Sequence, residues 1–117
     1  MGFFSKLFTE KICGFVNGGT YDGLDVKTIK EDGKLKVCFY QKGLVIGKRR
    51  EPFTFSKEDI KSVTLLQSGV RFSGQHVIGA ETTHYIGNRY QLEFHNGNTA
   101  IVSCPTENAP YFEKAVF

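Results

Sequence analysis

Three cysteines, three histidines and one run of basic residues are the side chains of this 117-residue sequence with an obvious capacity for chemistry. A cysteine nucleophile needs a base within hydrogen-bond reach and an electropositive setting that favours the thiolate. Cys38 stands in KVCFY and Cys104 in IVSCP, both strand-like and apolar, and Cys13 stands in KICGFV. Each reads as a small packed hydrophobe. An odd number of widely spaced cysteines, with no CxxC pair, points to a reducing compartment, and cytoplasmic residence is expected. His76, His84 and His95 make none of the HxH, HxxxH or HExxH spacings that build zinc sites. Gly14, Gly18, Gly19 and Gly23 form neither GxGxxG nor a Walker loop. No catalytic residue, metal or cofactor is expected.

Lys48-Arg49-Arg50 is the candidate anion contact. It follows LVIG and precedes Pro52, so it should project from a loop; as an isolated run it reads first as a solvated turn. A formal net charge of +3 is too small for a chain that binds polyanions as a whole, and nucleic acid is not an expected partner.

These residues need elements to position them. The chain opens MGFFSKLFTEKICGFV, and Phe4, Leu7, Phe8, Ile12 and Phe15 fall on one side of a helix spanning residues 3–16. Asn17-Gly18-Gly19 should stop it. Residues 1–18 are therefore expected as an N-terminal amphipathic helix beside a β domain of residues 19–117. Its apolar face needs a cover: the β core, a protein partner or second subunit, or a membrane surface. Lys6, Glu10 and Lys11 interrupt any signal-peptide core, and Lys6 stands where a myristoylation motif wants Ser or Thr.

Beyond residue 18, short apolar runs alternate with Gly, Asn and Asp, the texture of an antiparallel β domain. GLDVKTIK reads as a half-buried strand followed by a tight turn at Asp32-Gly33, and KLKVCFY and LVIG should form the next hairpin. FTF precedes a bend or single helical turn at Ser56 to Asp59 and a strand burying alternate members of Ile60 to Leu66. In RYQLEFHNGNTAIVS, two alternating runs flank Asn96-Gly97, the pair a type I′ turn asks for. That turn sets Phe94 opposite Thr99, Leu92 opposite Ile101 and Tyr90 opposite Ser103. Residues 67–88 resist assignment, with strand-like VRF and HVI pieces and an exposed loop at Ala80 to Thr83. TENAPYFEKAVF reads as a closing helix capped by Thr106 or Asn108, with Pro110 in its first turn and a stripe of Ala109, Phe112 and Val116.

FTFSKEDIKSVTLL, with its Asp59-Ile60-x-x-Val63 step, followed by RYQLEFHNGNTAIV and an amphipathic helix, resembles the bacterial pleckstrin-homology-like and GRAM-like domains over residues 20–117. The resemblance implies an antiparallel β-sandwich of about seven strands plugged by a C-terminal helix. It also implies a non-catalytic module that binds a protein partner or self-associates. The alternative is membrane-surface or anionic-lipid binding through the N-terminal helix and the 48–50 loop. The basic first hairpin of inositol-phosphate binders is not matched, because Glu31 and Asp32 dilute Lys30 and Lys34.

Overall fold

The computed structural model describes residues 11–42, 47–74 and 83–117. Its plainest link from local sequence to chain path is the turn at Asp32-Gly33, where both residues take positive φ, 54° and 76°. A two-residue turn of this kind matches the twist of the strands it joins. Strand β2 (Asp25–Glu31) thus returns as β3 (Lys34–Tyr40), with Glu31 opposite Lys34.

The turn at Asn96-Gly97 behaves differently. Only Gly97 takes positive φ, at 90°, and Phe94 N donates to Asn98 O at 2.9 Å around a three-residue loop. Asn98 N, bonded to the Asn96 side chain at 2.8 Å, holds the chain in this wider path. The register of β6 (Thr83–Phe94) on β7 (Thr99–Pro105) is therefore one residue away from the expected one: Leu92 faces Ala100 and Tyr90 faces Val102. A shift of one residue exchanges faces along the partner strand. Ala100 and Val102 consequently join Tyr90, Leu92 and Phe94 in the core, while Ile101 turns outward.

Residues 11–18 depart further from expectation. Lys11–Gly19 is a strand, β1, and it lies in the middle of the sheet between β2 and β7. Helix propensity is poor here, with Gly14, Gly18 and Gly19 among β-branched Ile12 and Val16. A register shift between Ile12 and Gly14 breaks the two-residue alternation of a strand. That bulge places Ile12 and Phe15 at a spacing that imitates a helix. Gly14 permits close strand approach, because a Cβ there would lie 2.0 Å from the Ser103 carbonyl oxygen. Positions 1–10 of the expected helix, including Phe4, Leu7 and Phe8, lie outside the described residues, as do 44–46 of the LVIG strand and the HVI piece.

The seven strands of the described residues form one antiparallel sheet in the order β4-β3-β2-β1-β7-β6-β5. β4 (Phe53–Phe55) and β5 (Ile60–Gly74) are consecutive in sequence yet occupy opposite edges, joined by Ser56 and a 3-10 turn at Lys57–Asp59. A flat sheet would hold those edges six strand spacings apart, about 29 Å. Five Cα steps from Phe55 to Ile60 span at most about 17 Å. The sheet must coil until its edges approach. Phe94 on β6 then meets Phe55 and Phe53 on β4, with ring centroids 4.8 and 5.3 Å apart. Phe39 and Tyr21 complete the cluster, and Tyr21 accepts a 2.9 Å hydrogen bond from Asn98.

Helix α1 (Ala109–Val116) covers the other part of the core with Ala109, Phe112, Ala115 and Val116. Pro110 occupies its first turn and Asn108 the cap position, as the residue spacing predicts. Phe112 packs 5.2 Å from Tyr90.

Phe94→Ala should remove the contact that joins β6 to the β4 edge across the coil. A loss of about 3 to 5 kcal/mol in urea unfolding is expected. A loss below about 1 kcal/mol would contradict this placement.

Candidate functional site

Antiparallel register aligns Phe15 on β1 with Asp25 on β2 and Asp25 with Tyr40 on β3. This row occupies the outer face of the sheet, opposite the buried Val16, Val26 and Phe39. Tyr85 on β6 stands 6.2 Å from Phe15, ring to ring. With exposed Ile12, these aromatic side chains border an open groove of about 280 Å³. Half-buried Asp25 and exposed Lys42 and Glu107 bring charges of both signs to its lining. The Tyr40 ring carries a cation already, with Lys27 Nζ 4.8 Å from its centroid. Such a groove is suited to contact.

The thiols lie elsewhere. Cys13 and Cys104 are fully buried on the core side, and burial pushes Cys13 from its ordinary 9.0 up to about 11. Burial also pushes Cys104 well up, with the neighbouring Cys13 adding to the effect. Cys38 is buried as well. Their setting favours the neutral thiol, the opposite of what a nucleophile needs.

Buried Tyr90 joins three elements. Its hydroxyl donates to the Glu113 carboxylate on α1 and accepts from Asn88 Nδ2 at 3.2 Å. Asn88 Oδ1 in turn accepts from the backbone amide of Gly69 on β5, at 3.2 Å. Burial and the Glu113 bond raise the ionisation of Tyr90 above its usual range. The helix, β6 and β5 are thereby held in one polar network.

Of the expected interface residues, the structure brings Ile12 and Phe15 to the same groove. Lys48, Arg49 and Arg50 are exposed, as expected of a loop. Two of the three also have structural work. Arg49 Nη1 donates to Gln41 O at 2.8 Å, and Arg50 Nη1 to Asp22 O at 2.5 Å. The Arg50 amide donates to Gln41 Oε1 at 2.7 Å. Arg50 fastens its loop to the β1–β2 turn, at the end of β1 remote from Ile12. His84 and His95 are exposed; His76 lies outside the described residues.

One surface went unread in the sequence. β5 extends to Gly74, and Leu65, Leu66 and, on β6, Ile86 are 47%, 43% and 58% exposed. Pairing of β6 with β7 begins at Gly87, whereas pairing with β5 reaches Thr83; beyond the β7 ladder Ile86 O accepts from the Thr106 amide at 3.0 Å and Tyr85 packs on Phe15. The available signal was the Leu65-Leu66 doublet, since adjacent strand residues point to opposite faces. Alternate burial from Ile60 to Leu66 is not what forms: Ile60 and Val63 are half-buried, with a register shift between Ile60 and Ser62.

The chain matches no protein-family model, no curated protein and no solved structure.

An unfolded thiol ionises near 9.0 and the folded Cys13 near 11, so its contribution to stability is complete below pH 9.0 and is lost as pH rises through about 11. Cys13→Ala should therefore flatten the decline of the urea midpoint across that interval. An unaltered slope would contradict the burial of this thiol. Arg50→Ala should cost about 1 kcal/mol through loss of its carbonyl contacts, measured in the same way. A neutral substitution would show the loop needs no such fastening.

Proposed function

We propose that the chain is a non-catalytic binding or assembly module of pleckstrin-homology-like, GRAM-like build, acting through protein–protein contact or self-association. The strand order β4-β3-β2-β1-β7-β6-β5, followed by a helix over the core, supports that build. The observation that carries the functional reading is the exposed apolar surface of the β5–β6 hairpin. Leu65 and Leu66 stand on a 15-residue edge strand. An edge of that length offers a row of main-chain donors and acceptors beside uncovered apolar side chains. The membrane-surface alternative has less to stand on, because Lys11–Gly19 is a strand and Arg49 and Arg50 direct donors at backbone carbonyls.

Light scattering across a range of protein concentrations tests the reading. A mass above the 13.1 kDa of one chain is expected at high concentration. The paired substitution Leu65→Lys/Leu66→Lys should return it to the monomer without lowering the thermal midpoint. A monomer at every concentration, unaffected by the substitutions, would count against self-association through this surface.

A further inference from the structure

We propose that β5 receives the β5 strand of a second copy of this chain, antiparallel, across a two-fold axis at Leu65. The proposal rests on the assembly reading and gives it a partner and a geometry. Among the described residues β5 has a strand neighbour on one side only, β6. The occupant that fits the other side is an extended strand, because only a backbone in that conformation satisfies a row of alternating N–H and C=O groups.

Charge and spacing select a second copy. Along the β6 ladder Leu65 pairs with Tyr90, Ile60 with Phe94 and Arg71 with Ile86. Ile60 and Arg71 thus lie four β6 residues to either side of Leu65, the irregularities in β5 absorbing its extra residues. A two-fold axis through Leu65 carries Arg71 of each copy to Ile60 of the other, beside the exposed Asp59 carboxylate. The attraction occurs twice, once in each half of the interface. Lys61, the other cation within β5, is 3.9 Å from the Glu93 carboxylate of its own chain. The axis sets Leu65 against its counterpart and draws Leu66 into the contact, covering the two exposed leucines. The eight ladder steps between Ile60 and Arg71 give an edge of about 27 Å. Both copies carry the same bulges and hence the same twist.

Cross-linking of the full-length chain tests the geometry. Leu65→Cys, oxidised mildly, should give a disulfide-linked dimer, since directly opposed strand residues lie within disulfide reach. The native thiols are buried and should not contribute. Ser62→Cys should give none, because its two copies would lie about 20 Å apart. Arg71→Glu should weaken dimerisation about tenfold. An oligomer that forms no disulfide link in the Leu65→Cys variant, or that links equally well in the Ser62→Cys variant, overturns the two-fold pairing and leaves the assembly reading standing. A monomer with every variant overturns both.

Discussion

The connection between β4 and β5 is too short for a flat sheet, and most of this structure follows from that. Ser56 and one 3-10 turn must carry the chain from one sheet edge to the other. Hydrogen bonds hold that turn in shape: Ser56 N donates to the Asp59 carboxylate at 3.0 Å, and Asp59 O accepts from His95 N at 3.1 Å. Closure brings β4 over β6, where Phe39, Phe53, Phe55 and Phe94 exchange ring contacts that a flat sheet would leave to solvent. Burial of such rings supplies the apolar free energy that holds the coil. α1 covers core left open beyond this cluster.

Coiling also decides what remains for function. Cys13, Cys104 and Tyr90 face inward, and Cys38 is buried on the opposite face of β3 from Val37 and Phe39, so their chemistry is spent on packing and on the link to Glu113. The outer face retains the aromatic groove. The two edges remaining after closure are unequal: β4 has three residues and β5 fifteen. Short edges resist intermolecular pairing, whereas long ones invite it. The asymmetry concentrates exposed backbone and apolar side chains on the β5 side, and the proposed function rests on that concentration.

Much of the β domain was legible in the residues. Asp32-Gly33 announced a two-residue turn, Ser56 to Asp59 a helical turn, and Pro110 with the Ala109, Phe112 and Val116 stripe a closing helix. Each is decided by backbone preference within a few residues. Asn96-Gly97 announced a hairpin but not its register, because the same pair fits loops of two or three residues and the Asn98 contacts choose between them. β1 was hidden by its own bulge, and its strand conformation is imposed by β2 and β7 on either side. Of the candidate site, Ile12 and Phe15 were found through a helical pattern that does not form there. Tyr40 and Tyr85 reach the same groove from distant strands, a placement that local pattern cannot express.

If β5 is the working edge, its amides should report it. Hydrogen–deuterium exchange of the β5 amides at low and high protein concentration measures this without any substitution. The account predicts that amides around Leu65 on the side away from β6 become protected as concentration rises, while those of β1 and β7, inside the sheet, do not change. Exchange along β5 that stays independent of concentration would contradict it.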